Sequence, residues 1–193
     1  MLRWIFPILV ASAVAVFAAL AVLLATEKRE TPAAPPYRVA HVGGLEYEAM
    51  LARPIHPANE VDNRIVAGLP DGERRTAGSE ILFGAFISVT NTSPGALPTA
   101  RRIDLRDEGG DVYHPLPLPA GNAYAYTPRL IHPRTRIPAF GSEADDNLAA
   151  TGRLLLYRIP ARQYDDGILE LVIDDPADPA DPARTASLTV SGG

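Results

Sequence analysis

From Trp4 to Ala25 the chain reads WIFPILVASAVAVFAALAVLLA, 22 residues with no charge and a single hydroxyl, Ser12. A helix of that length is roughly 33 Å long at about 1.5 Å per residue, enough to cross a hydrocarbon core of about 30 Å. It would be apolar on every face, which suits lipid rather than the one-sided core of a water-soluble domain. Pro7 falls in the first turn, where its missing N–H would be unpaired anyway. Trp4 suits the aromatic belt at the membrane interface. Residues 1–25 are therefore expected to form an uncleaved signal anchor with a single span over residues 4–25.

A cleaved signal peptide is the alternative. Arg3 supplies its basic start, but the apolar run exceeds the about 7–15 residues of such a core. Cutting after Ala25 or Thr26 would put Leu23 or Leu24 where a small residue is needed, and the good match Ala19-Leu20-Ala21 lies inside the run. For orientation, Arg3 and the α-amino group stand on one side of the run and Lys28 with Arg29 on the other, a count that by itself allows the following domain to be cytoplasmic. Long domains, however, translocate largely regardless of charge, and a short tail before a long domain is the usual layout of a signal anchor. The expected location is the cell membrane, single-pass, with the C-terminal domain extracytoplasmic.

The 193-residue chain leaves about 165 residues beyond the anchor, one domain's worth and enough to bury a core without staples. There is no cysteine, so neither a disulfide nor cysteine-linked lipid is available. A net charge of −5 argues against a nucleic-acid partner and against a polybasic grip on anionic lipid. Residues 26–36, TEKRETPAAPP, read as a proline-rich spacer that favours extended polyproline II.

Beyond the spacer the pattern has period two. In LEYEAML, Leu45, Tyr47, Ala49 and Leu51 fall on one side and Glu46 and Glu48 on the other. The clearest strand is ILFGAFISVTN, with Ile81, Phe83, Ala85, Ile87 and Val89 on one face and turn residues at Thr90–Gly95. Ile103 and Leu105 alternate with Asp104 and Arg106, and a Glu108–Asp111 turn leads to Val112 and Tyr113. RLLLYRI at 153–159 and ILELVI at 168–173 are short β-prone runs. No segment after the spacer sustains a 3.6-residue period. Roughly seven short strands broken by Gly and Pro predict an all-β antiparallel sandwich over 37–173. Two stretches stand apart. Residues 115–150 carry six prolines and little alternation, and a loop that long is either functional or hides an element. Residues 174–193 read as an acidic, proline-rich, solvated tail, with ASLTV at 186–190 as a candidate last strand.

The stretch from Ile81 to Ile173 resembles a bacterial domain-of-unknown-function family. Its members are immunoglobulin-like sandwiches on secreted, lipid-anchored or membrane-anchored proteins, related to the mycobacterial immunoprotective secreted antigens. Four pieces in order carry the resemblance: the turn Val89-Thr90-Asn91-Thr92-Ser93, the strand Ile103–Asp107 leading to Tyr113, the aliphatic strand Leu154–Pro160, and the closing ILELVI. They span about half the chain. The departure is at 115–150, where the family has a shorter link with a Pro-Gly turn; Pro138-Ala139-Phe140-Gly141 is the nearest equivalent. The resemblance implies an immunoglobulin-like fold preceded by one transmembrane helix. The family has no established catalytic residues, so it transfers no site.

Chemical motifs are sparse. His41, His56, His114 and His132 show no metal-ligand spacing, and three of them precede proline. The acidic pairs Asp107-Glu108, Asp145-Asp146, Asp165-Asp166 and Asp174-Asp175 build no D-x-[DN]-x-[DN]-G calcium loop. There is no G-x-S-x-G elbow and no Ser-x-x-Lys, and Ser142 reads as ordinary turn chemistry. Asn91-Thr92-Ser93 fits a glycosylation sequon but also a strand-ending turn. No catalytic residue, metal or cofactor is expected.

The segment Ala120–Arg136 is the best surface for a partner, because Tyr124, Tyr126, Arg129, Arg134 and Arg136 put tyrosine and arginine close together. The competing reading is that the tyrosines fill core positions under a long loop. The expected function is a membrane-anchored, non-enzymatic module binding a protein or envelope component through its loops. The alternative is an accessory subunit docked through its helix, where Ala11, Ala15, Ala18 and Ala19 would permit close packing.

Overall fold

The computed structural model describes residues 39–178 and 185–190. The chain divides into two units, Met1–Pro36 and Tyr37–Gly193, and every described residue belongs to the second. The expected span at 4–25 and the spacer at 26–36 lie outside the described residues. Among the described residues no helix is long and apolar enough to cross a membrane.

The second unit is built mostly of antiparallel β-sheet with a few short helices. Its first sheet opens with the hairpin β1 (Val39–Val42) and β2 (Leu45–Ile55). Gly43 and Gly44 link these strands, both at positive φ (57° and 86°), as a two-residue hairpin turn demands. β2 pairs along β3 (Glu80–Asn91), the central strand. On the other side of β3 lies β9 (Arg153–Pro160), with β8 (Arg136–Ile137) continuing that edge at Val89 and Thr90. The second sheet has the order β11 (Ala186–Thr189), β10 (Leu169–Ile173), β5 (Ile103–Asp107) and β6 (Val112–Tyr113), again antiparallel throughout. A small pair joins β4 (Leu97–Pro98) to β7 (Leu130–Ile131).

The main core collects Tyr47, Phe83, Ile87 and Tyr157 from the first sheet and Ile103, Leu105, Leu171 and Leu188 from the second. Each such aliphatic or aromatic side chain contributes about 1.5–3 kcal/mol by leaving water. Three phenols secure the chain that enters β5. Tyr47 Oη accepts the Ala100 N–H at 2.8 Å, Tyr126 Oη donates to Ala100 O at 2.8 Å, and Tyr157 Oη donates to Ile103 O at 2.8 Å. Burial pushes the Tyr47 pKa up to about 12 and raises those of Tyr126 and Tyr157 further, so all three stay neutral.

Two sequence expectations are corrected here and a third, for β3, holds on one face and is extended on the other. In β2 the register shifts between Ala49 and Leu51, so Met50 is an extra residue. Leu45, Tyr47 and Ala49 face the main core, but the shift turns Leu51 and Ile55 to the opposite face and Ala52 to the core. In β3, Phe83, Ala85, Ile87 and Val89 do share the main core, yet Leu82 and Phe86 are equally buried on the other face. A strand in the middle of the fold therefore has no solvent face. The tail is not solvated throughout. Asp174 and Asp175 are buried, Asp174 Oδ2 takes Arg102 Nε at 2.7 Å, and Asp175 Oδ1 takes the Ala177 N–H at 2.8 Å. The last strand is real, with Leu188 fully buried opposite Leu171.

Phe86 and Leu82 belong to a second core on the outer face of the first sheet. Two irregular stretches cover it: α1 (Glu60–Ile65) with α2 (Asp71–Arg74), and the 115–150 stretch with α3 (Glu143–Asp146). Helices of four to six residues are too short to display a 3.6-residue period, which explains their silence in the sequence. Asn59 caps α1 through Oδ1 to the Val61 N–H at 2.9 Å. Arg53 reaches from β2 to Asp62 (Nη2–Oδ1, 2.7 Å) and to Ala149 O (3.0 Å), tying both stretches to the sheet. Asn122 Nδ2 donates to Ile65 O at 2.7 Å and Ala67 O at 3.1 Å, tying them to each other.

Candidate binding cleft

Four of the five tyrosine and arginine positions singled out from sequence divide into two groups, and Arg134 stands apart. Tyr124 and Arg136 are tied to α3. Tyr124 is buried in the second core, donates to Glu143 Oε1 at 3.1 Å and accepts from Asn147 Nδ2 at 2.8 Å. Arg136 is paired with Asp145 and lies 4.2 Å over the Phe140 ring. Arg134 is exposed, at φ 59°, and its N–H donates to Asn91 O at 2.9 Å in the turn after β3. The two tyrosines therefore serve the interior, as the competing sequence reading had it. Tyr126 and Arg129 form the second group and border a cleft.

That cleft has a volume of about 400 Å³ and lies between the start of β5, the start of β9 and the loop that leaves β6. Ile103, Leu154 and Leu155 form its floor. Pro115, Leu116, Pro117 and Leu118 form one wall, and Tyr126, Thr127 and Pro128 the other; Arg101 stands at the rim. Backbone bonds fix this frame. Leu116 N–H donates to Leu156 O at 2.7 Å, and Tyr126 N–H donates to Leu154 O at 3.0 Å. Leu154 N–H donates to Tyr124 O at 2.7 Å. Both loop segments thereby cover the edge of β9 that would otherwise offer unpaired groups. Arg129 is held on both sides of its backbone, its N–H on Thr99 Oγ1 at 3.0 Å and its carbonyl on the Thr99 N–H at 2.9 Å.

The charges around the cleft are uneven. Arg101 lines it, Arg129 follows the lining residue Pro128, and Arg153 precedes the lining residue Leu154. None of these three forms an ion pair among the described residues, whereas Arg53, Arg102, Arg106, Arg136 and Arg158 each meet a carboxylate. By strand alternation Arg153 shares the face of Leu155 and Tyr157, at the end of the main core. It is half-buried, its Nη1 donates to Ala123 O, and its Nε is buried without a hydrogen-bond partner. Burial and then the nearby charge of Arg129 lower its pKa. Two cations are thus held near each other with no anion between them.

Beside the cleft, His114 Nδ1 lies 2.9 Å from Asp104 Oδ1, and Arg102 bridges Asp104 and Asp174. Among the described residues no three His, Cys, Asp or Glu side chains come together as a metal site. The sequence singled out Arg129 but passed over Arg101 and Arg153. Their signal is absence of a partner, which exists only in three dimensions.

No family model and no curated protein matches the chain. Among solved structures it is similar to the yjhA protein from Bacillus subtilis, at 9% identity over 79% of this chain and 96% of that one, with a TM-score of 0.42. A conserved hypothetical protein from Bacillus anthracis gives 9% identity over 80% and 93% of the two chains and a TM-score of 0.43. A functionally unknown protein from Listeria monocytogenes EGD-e gives 13% identity over 80% and 82% and a TM-score of 0.48.

Proposed function

We propose that the protein is a membrane-tethered, non-enzymatic, immunoglobulin-like module that binds a protein or envelope component outside the cytoplasm through the loops around the cleft. The tether rests on the apolar run at 4–25, long enough to cross a bilayer as a helix. The immunoglobulin-like reading is supported by two antiparallel sheets over one core, between which the chain crosses from β3 to β5 and from β9 to β10. The binding reading is carried by one observation: Arg101 lines a cleft whose lining residues Pro128 and Leu154 are followed and preceded by Arg129 and Arg153, and none of the three forms an ion pair among the described residues. Arginine in such a setting is a favoured contact residue.

A photo-crosslinking side chain at Leu118, in full-length protein in native membranes, tests this. The expected result is a discrete adduct, absent when the crosslinker is moved to Arg162 and lost in Arg101→Gln/Arg129→Gln. An adduct of equal yield from both positions, or none, overturns the reading. Swapping residues 4–25 for an unrelated apolar helix should leave the adduct in place. If the swap abolishes it, the contact belongs to the helix and the protein is an accessory subunit.

A further inference from the structure

We propose that the cleft binds a small amphiphilic anion, with its anionic oxygens on Arg101 and Arg129, Arg153 behind them, and its apolar body against Leu116, Leu118 and Tyr126. The proposal rests on the binding reading above and names the chemistry of the ligand.

Charge complementarity selects the head. Of the 13 arginines among the described residues five meet a carboxylate, and three of the eight that do not are Arg101, which lines the cleft, and Arg129 and Arg153, which adjoin its lining residues in sequence. A guanidinium presents a planar fork that fits carboxylate or phosphate oxygens, and both head groups share that chemistry. The buried unpaired Nε of Arg153 adds a donor whose desolvation is uncompensated in the unliganded protein.

The walls select the body. Pro115, Pro117 and Pro128 carry no N–H, and the Tyr126 hydroxyl is already used on Ala100 O. Leu116 spends its N–H on Leu156 O. A ligand rich in hydroxyls would therefore find few partners beyond the arginines, while an alkyl or aryl body would find leucine, proline and the tyrosine ring. A volume of about 400 Å³ lies within the usual range for small-molecule sites. The proline-rich wall is stiff, so little ordering is required on binding.

The test is calorimetry on the full-length chain in zwitterionic lipid nanodiscs, with empty nanodiscs as reference. Four probes are compared: octyl phosphate, octanoate, octyltrimethylammonium and inorganic phosphate. The expected result is saturable binding of octyl phosphate, octanoate or both at one site per chain. Arg101→Gln/Arg129→Gln should weaken it at least about tenfold. Both arginines are exposed, so the denaturation midpoint of this variant should match the parent's. Arg162→Gln, on the helix after β9, should bind normally. Equal binding of octyltrimethylammonium reduces the cleft to a greasy slot and overturns the proposal. Equal binding of inorganic phosphate overturns it too, by removing any role for the apolar walls. Absence of saturable binding, or binding that survives the double substitution, also overturns it. If the amphiphiles fail while the Leu118 adduct remains arginine-dependent, the ligand assignment falls and the binding reading stands. If the amphiphiles bind and no adduct forms, the ligand assignment stands and the macromolecular partner falls.

Discussion

Phe83 and Phe86 sit three residues apart on β3, both fully buried, and point into cores assembled by different means. Around Phe83 the partners come from strands of two sheets, and the polar bonds that cross the core are neutral phenols on backbone groups. Around Phe86 the cover is two irregular stretches held down by charge and amide: Arg53 to Asp62 and Ala149, Asn122 to Ile65 and Ala67. Strand edges fix the first core along its whole length. The second depends on a few side-chain clamps, so its cover should open locally while the sheets persist.

Truncating the two phenylalanines puts the largest load on this difference. Phe83→Ala should cost about 3–5 kcal/mol in urea unfolding, because a cavity between two hydrogen-bonded sheets cannot collapse. Phe86→Ala removes the same atoms but should cost at least about 1 kcal/mol less, because a loop layer can settle into the space. Equal costs would mean that the two cores are equally rigid.

Acid and base should then attack opposite cores. The Tyr47 pKa is raised by burial from 10.0 to about 12. A raised folded-state value gives stability that is complete below pH 10 and lost as the pH climbs toward 12. A shift of that size is worth about 2–3 kcal/mol. Tyr47→Phe should flatten this alkaline loss. Asp62 responds the other way. Burial works against its ionisation, but hydrogen bonds from Arg53 and the His56 N–H outweigh burial and hold its pKa below 3.8. A lowered folded-state value gives stability that is present above about pH 4 and lost on further acidification through the folded value. Hydrogen exchange should show residues 56–75 and the loop around Ala149 opening in acid before the amides of β3 and β9. Asp62→Asn should remove that acid step. Simultaneous opening of the sheets would sink the idea of a separately clamped layer.

The same contrast governs what could be read in advance. β5, β9 and β10 were legible because one face of each follows a period of two or an unbroken aliphatic run. Only the half of β3 facing the second sheet was legible, because alternation is read relative to one buried face and β3 has two. Leu51 was assigned to the wrong face because one extra residue, Met50, inverts the phase, and no side-chain pattern marks it. The back layer was invisible as structure. Its helices are shorter than two turns, and its cohesion lies in contacts such as Asn122 with Ile65, 57 positions apart. The cleft was half legible. Tyr126 and Arg129 lie in a stretch whose composition stands out, whereas Arg101 precedes β5 and Arg153 opens β9, both ordinary strands.

The smallest effect compares a clamped arginine with an unclamped one. Arg53→Met strips Asp62 of its partner and should cost about 1–3 kcal/mol, since a buried carboxylate is left with one backbone N–H. Arg153→Met removes a half-buried cation that no carboxylate meets and that sits near the like charge of Arg129. Its one hydrogen bond, to Ala123 O, is offset by relief of that repulsion and by apolar contact with Leu155, so stability should change by no more than about 1 kcal/mol, with a gain the expected sign. A gain on its removal would show that Arg153 adds electrostatic strain to the fold rather than clamping it. Thermal denaturation of the two variants side by side makes the comparison. If Arg153→Met destabilises as much as Arg53→Met, Arg153 is a structural clamp like its counterpart, and the cleft loses the cation that sets it apart from the rest of the surface.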